Sequence, residues 1–428
     1  MRELIYRFST NATIPTLFEV GGKGKALIEM TKAGFPVPQG IVLSTNFFEP
    51  WLSRIKATSE WSELLTGITT TKCNDLKRKA LEMVFTEDQM TALQKSLKDL
   101  DDCSVYAVRS SSPEEDFKDS SFAGMYETYL NVTKLNLKRS IIKAFTSMLD
   151  FRVMKYKELN NITIENSAIA VIIQKQIAAE VSGIGFSLNP QNNCYDEAVI
   201  NAGYGLCKDI VSGVIMPDSY IVEKVKLEIL EKSFNGICQN SRHSDHAGIK
   251  KSDIKTQYEH ILVDEQIFEL TDMIINCESY YNYPIDIEWA IEDGNLYLLQ
   301  VRPITTYIPL FPELMTEPGQ RKKLYIDTIG CSQGFSEQLS VLGLDLWAVI
   351  MDRIQGQGIM PAGEGGYLIN VHGKQYFDVS NMLKGMGNRL AVLTLKSLDP
   401  IIRERKDDII REYKALKSIK KNQVYTIE

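Results

Sequence analysis

The segment Ile285-Asp-Ile-Glu-Trp-Ala-Ile-Glu-Asp-Gly-Asn-Leu-Tyr-Leu-Leu-Gln-Val-Arg-Pro303 alternates in polarity on both sides of Asp293-Gly294-Asn295. Period-2 alternation flanking such a tripeptide reads as a β-hairpin. Its register decides its chemistry, because a slip of one residue turns every side chain to the other face. A two-residue turn sets Glu288 opposite Leu299 on the apolar face; a three-residue loop sets Glu288 opposite Gln300 and Asp286 opposite Arg302. We expect the three-residue register. It gathers two carboxylates, an amide and a guanidinium on one face, placing hard oxygen donors for Mg2+ beside a cation for a phosphoryl group. The bland alternative is the solvated side of an edge hairpin, against which Pro303 and the bulky row Ile285, Ile287 and Trp289 mark the opposite side as buried.

Two further segments carry chemistry. Gly21-Gly22-Lys23-Gly24 precedes a helix expected over 24–33, where Ala26, Leu27, Met30 and Ala33 recur at helical spacing and Gly34 ends the pattern. Such a turn brings backbone N–H groups and one ammonium to the positive end of a helix, which favours a phosphate. Its spacing is neither Walker A nor GxGxxG, and a glycine turn with a solvated lysine stays open as the alternative. In Val105-Tyr-Ala-Val-Arg-Ser-Ser-Ser-Pro-Glu-Glu-Asp116, alternation puts Val105, Ala107 and Arg109 on one face of a strand. A guanidinium at the end of an apolar row needs an anion, either a phosphate or a carboxylate such as Glu115 or Asp116. The Ser- and Gly-containing run that follows, Ser120 to Gly124, suits a loop covering phosphates.

The chain has 428 residues, 44% hydrophobic and 24% charged, enough for two or three domains. A formal charge of -7 argues against a nucleic-acid surface, which needs a basic footprint. Seven cysteines, scattered and without a CxxC pair, indicate neither a disulfide framework nor a zinc site. With no signal-peptide pattern at Met1 and no apolar run of membrane-spanning length, a cytoplasmic protein without membrane contact is expected. Short runs rich in Val, Ile and Tyr, from Ser104 to Lys224, read as strands of a sheet-rich core. Helices are expected over 72–100, 135–158 and 258–281. Prolines 303, 309, 312 and 318 crowd a boundary, beyond which an apolar stripe of Ile402, Ile409, Tyr413 and Leu416 marks a helix over 399–421. The expected organisation is residues 1–100, a sheet-rich core over 101–308, and a linker with a mostly helical region over 309–428.

With these segments in place, the chain resembles the nucleotide-binding domain shared by phosphoenolpyruvate synthase, pyruvate phosphate dikinase and rifampin phosphotransferase. The likeness covers about residues 11–308 through five ordered motifs: GGKGKAL, AVRSSSPEEDFKDSSFAGMYETYLNV, VIIQKQIAAEVSGIGFSLNP, AGYGLCKDIVSGVIMPDSY and DIEWAIEDGNLYLLQVRPIT. The resemblance implies an α+β fold of the ATP-grasp type. It implies that Lys23 and Arg109 hold ATP phosphates, that Glu288 and Gln300 carry Mg2+, and that Arg302 faces the phosphoryl group being moved. It further implies that Gln174, Gln176 and Ile177 line the adenine pocket and that Ser121 and Gly124 belong to the phosphate-covering loop. Residues 310–428 are similar, less specifically, to the start of a rifampin phosphotransferase substrate domain, so the chain is expected to be part of a larger enzyme.

Two departures bear on activity. Where the family reads GLGE, this chain reads Gly205-Leu-Cys-Lys208, a cation in place of a carboxylate. The glycine-rich loop before Ser-His that carries phosphohistidine in the family is missing, and His243, His246, His260 and His372 do not replace it. The function expected is therefore an ATP-dependent phosphotransferase component. It would pass a phosphoryl group from Mg-ATP to a histidine on a partner or further domain, and thence to a small molecule. A nucleotide-binding regulatory module and an ATP-grasp carboxylate ligase are the alternatives.

Overall fold

Ala168 to Ile173 is an unbroken apolar run because the strand it feeds is buried on both faces. The computed structural model describes residues 3–98, 100, 105–114, 126–211, 213, 216–234, 260–307, 311–314, 323–327, 339–356, 366, 368–382, 384 and 426–427. They fall into two units, residues 1–186, 200–220 and 231–305 in one and 187–199, 221–230 and 306–428 in the other.

In the first unit, β1 (Ile5–Arg7), β2 (Gly40–Leu43), β3 (Tyr106–Ser111), β4 (Thr128–Val132) and β5 (Ala170–Lys175) make an antiparallel sheet of order β1-β2-β5-β3-β4. Alternation sorts the side chains. Ile41, Leu43, Tyr106, Val108, Val171 and Ile173 join one core; Val42, Ala170 and Ile172 join another with Val20, Leu27 and Ile28. The latter three belong to α1 (Leu17–Lys32), which therefore covers one face of the sheet. The other face is covered by α2 (Thr45–Lys56), α3 (Ser59–Leu65), α4 (Thr70–Ala80), α5 (Glu87–Leu97), α6 (Leu137–Thr146) and α7 (Phe151–Leu159). Ser44, Thr58, Thr69 and Thr86 each accept a backbone N–H at the start of α2 to α5. The expected boundary at residue 100 runs through this sheet, since β1 and β2 lie before it and β2 pairs with β5 after it. The interior of β5 needs two neighbours, and the residues before 100 supply one of them.

The second sheet contains β6 (Val181–Phe186), β7 (Glu197–Tyr204), β8 (Asp218–Glu223), β9 (Glu228–Ser233), β10 (Ile285–Glu292) and β11 (Asn295–Pro303), ordered β11-β10-β6-β7-β8-β9. A short α8 (Cys207–Val211) follows β7, and α9 (Asp264–Tyr281) precedes β10. Ile285, Ile287 and Trp289 are fully buried, as their spacing requires. Gly183 of β6 permits that packing: a Cβ there would lie 2.6 Å from the Trp289 ring and 1.8 Å from Asn201 O.

In the second unit, β12 (Lys323–Asp327), α10 (Val341–Gly356), β13 (Leu368–Val371), β14 (Lys374–Asp378) and β15 (Thr426–Ile427) are described, the strands in order β13-β14-β12-β15. Among the described residues this region, expected to be mostly helical, holds a small sheet besides α10 and further helical residues at 379–382 and 384, with Leu314, Tyr325, Val371 and Tyr376 as its core. The helix expected over 399–421 lies outside the described residues. Among the described residues no helix is long and apolar enough to cross a membrane.

Candidate active site

The 285–303 hairpin has the expected pairing, reached by a different route. Glu288 pairs with Gln300 and Asp286 with Arg302, yet Glu292 pairs with Asn295, so the turn holds two residues, Asp293 and Gly294. Both have positive φ, 51° and 73°, as a type I′ turn requires. The register shift between Glu288 and Trp289 leaves Leu299 without an opposite residue, a β-bulge that re-aims the polar half of β11. The ladder is thus regular near the tip and offset by one residue beside the site.

Arg109 is what the bulge serves. It is 8% exposed, and its Nη1 donates to Leu299 O at 2.8 Å. Its Nη2 donates to Gln300 Oε1 and stands 3.5 Å from Glu288 Oε2. The carboxylate partner is therefore on the hairpin; Glu115 and Asp116 lie outside the described residues. Asp286 Oδ1 accepts from Arg302 Nε at 2.6 Å, so the two arginines are held by successive polar positions of one strand.

Lys23, Arg109, Glu288, Gln300 and Arg302 line one cavity of about 750 Å³ within the first unit. Gln174, Gln176 and Ile177 line it as well. The Gln174 amide donates to Pro38 O at 3.2 Å. The Gln176 side chain is used in full on Asn131, accepting from its backbone N–H at 2.6 Å and donating to its Oδ1 at 2.9 Å, and so braces β4. Ser121 and Gly124 lie outside the described residues.

The glycine turn differs from expectation. The helix begins at Leu17, capped by a Thr16 and Glu19 box, and Gly21 interrupts it at φ +70°. Gly22 N–H donates to Ser112 O at 3.2 Å and Gly24 N–H to Ser111 Oγ at 3.0 Å. These amides hold the turn to the end of β3, so what the turn presents to the cavity is the Lys23 side chain. The serine contacts were not legible locally, since Ser111 and Gly24 are 87 positions apart.

Residues 18–317 match the family model described as pyruvate phosphate dikinase, AMP/ATP-binding domain. The chain belongs to this family. Its α+β nucleotide-binding fold is the one expected, and the cavity above is a cavity of a dikinase-type ATP-binding domain. The domain is 33% identical over 335 residues to a probable phosphoenolpyruvate synthase of Methanocaldococcus jannaschii, covering 74% of this chain and 28% of that protein. It is 36% identical over 299 residues to an uncharacterized phosphotransferase of Bacillus subtilis, covering 67% of this chain and 33% of that protein. It is 27% identical over 404 residues to a rifampicin phosphotransferase of Streptomyces sviceus, covering 91% of this chain and 44% of that protein. The chain thus spans less than half the length of each of these three relatives.

Two further residues of α8 line the cavity of this dikinase-type domain. Lys208 lines it and is exposed. Beside it Cys207 is 8% exposed, with Sγ 3.3 Å from Gly183 O. Burial first, then the negative charge of Glu288, push its thiol up to about 12. At pH 8 the thiol is then almost wholly protonated. Alkylation of Cys207 by iodoacetamide, followed by peptide mass spectrometry, is expected to be slow at neutral pH and to accelerate about tenfold per pH unit between 8 and 11. Rapid labelling at pH 7.5 would contradict the buried, acid-facing position.

Proposed function

We propose that this domain binds Mg-ATP in the cavity and moves a phosphoryl group to a histidine on a partner or further domain, from which it passes to a small-molecule acceptor. The chemistry would be that of a phosphoenolpyruvate synthase or a rifampicin phosphotransferase. The observation that carries the reading is the convergence of Lys23, Arg109 and Arg302 with Glu288 and Gln300 around one cavity. Phosphoryl transfer asks the protein for little covalent chemistry; positioning and charge stabilisation do the work. Three cations serve that purpose, with Lys23 and Arg109 on the phosphates and Arg302 on the group in transit.

The donor set suits Mg2+. Glu288 Oε2 and Gln300 Oε1 both face Arg109 Nη2, so both oxygens are aimed at a cation. Mg2+ is commonly held by one or two carboxylates, with substrate phosphates and waters completing six positions. Among the described residues no group of three or more His, Cys, Asp or Glu forms an all-protein cage. Glu288 and Gln300 would hold Mg2+, which would neutralise phosphate charge, and Arg109 beside them would hold the phosphates of the nucleotide. Ser121 and Gly124 would cover the phosphates, and the segment Gln174 to Ile177 would wall the base. Residues 1–308 would form the ATP-grasp module of a longer enzyme and 309–428 the start of its substrate-binding part.

Calorimetry with Mg-ATP, followed by product analysis with an added phosphohistidine-domain protein, tests the reading. AMP and phosphate are the expected products, one phosphoryl group going to the histidine and the other to water. ADP formed only with an acid and an amine would instead favour a ligase, and binding without any AMP a regulatory module. Arg302→Ala is expected to leave Mg-ATP affinity within about threefold and to lower phosphoryl transfer about 100-fold or more, the pattern of a group acting in the transition state. Unaltered transfer would remove Arg302 from the mechanism.

A further inference from the structure

We infer that Ser111 is a positioning residue for Lys23, fixing the ammonium at the phosphate end of the cavity; the inference rests on the Mg-ATP reading above. Lys23 lies between two glycines whose N–H groups are both tied to the end of β3, Gly22 to Ser112 O at 3.2 Å and Gly24 to Ser111 Oγ at 3.0 Å. The Ser111 hydroxyl donates in turn to Val20 O at 2.8 Å, so one buried oxygen bridges the main chain before and after the turn. Ser111 is fully buried, two positions beyond Arg109 and, by strand alternation, on the same face.

A lysine ammonium is a point charge on a flexible stem, so its location depends on where the Cα–Cβ bond is set. Gly21 leaves no slack in that setting. It holds φ +70°, and a Cβ on it would lie 2.3 Å from Ser111 Oγ. Removing the hydroxyl takes a buried partner from both Gly24 N–H and Val20 O and unties the turn from β3 at this point. One strand end therefore carries one site cation itself and fixes the loop that bears another.

The test is a double-mutant cycle on Mg-ATP affinity, measured by calorimetry on the full chain as wild type, Ser111→Ala, Lys23→Ala and the double variant. Ser111→Ala is expected to weaken binding about tenfold in the wild-type background and less than about twofold when Lys23 is already alanine. Equal losses in both backgrounds, or none in either, overturn the inference. A merely structural serine would lower the melting temperature in both backgrounds without this dependence on Lys23. No binding by the unmodified chain would overturn the nucleotide reading itself, which keeps the two failures apart. If Ser111→Ala does not fold, the same cycle with Ser111→Cys, whose thiol is a weaker partner, is expected to give a smaller loss with the same dependence.

Discussion

Arg109→Ala is expected to weaken Mg-ATP binding by roughly 10- to 150-fold, the range for losing a charge-assisted contact of about 1.5 to 3 kcal/mol. The residue acts twice. It lines the cavity as a cation, and it holds Leu299 O, Gln300 Oε1 and Glu288 Oε2, so its loss also loosens the groups expected to carry the metal. Arg109→Lys is not expected to restore affinity. The guanidinium places two different nitrogens on two acceptors at once, and an ammonium has no such fork. Calorimetry on the three proteins checks this; wild-type affinity in Arg109→Lys would show that charge alone matters.

Lys157→Met or Glu114→Gln is expected to destabilise the first unit by about 3 to 5 kcal/mol, measured by chemical denaturation. The Lys157 side chain is 0% exposed and that of Glu114 11%, with Nζ 2.5 Å from Oε2 and 2.7 Å from Ser167 Oγ. Burial holds the ammonium below its usual range, and Glu114 opposes that shift. Removing one member strands the other charge, which is the dominant cost, so the double variant is expected to be more stable than either single one. Additive losses would show that the two charges are not coupled. The pair lies at the end of β3, where Ser112 Oγ also accepts from Glu114 N at 3.3 Å, and the same strand end anchors the Lys23 turn.

The hairpin shows what a sequence makes legible and what it conceals. The alternation of Ile285, Ile287 and Trp289 against Asp286 and Glu288 gave the buried and polar faces, and the partners Gln300 and Arg302 followed. The turn length did not, because Asp293-Gly294 suits a two-residue turn while Leu298 and Leu299 carry no mark of a bulge. Arg109, Lys23 and their cavity partners were legible as charges placed where an apolar pattern or a glycine turn made them costly. The role of the glycine amides was not, since it depends on serines far along the chain. Helices α2 and α3 were missed by periodicity, α3 because it is short and α2 because it contains Pro50; their capping Ser44 and Thr58 were the available signal. The boundary at residue 100 followed a change of texture from charged helices to apolar strands, which marks where strands begin and not where a sheet ends.

The bulge at Leu299 has a genetic consequence. The oxygen that Arg109 Nη1 grips belongs to the peptide unit, so every amino acid at this position offers the same acceptor. Point substitutions there are buffered as far as that grip is concerned. Excising the single codon is not: it would straighten the ladder, take away the acceptor and leave the arginine with its side-chain partners only. A trait invisible to exchange scanning would emerge from a one-residue shortening.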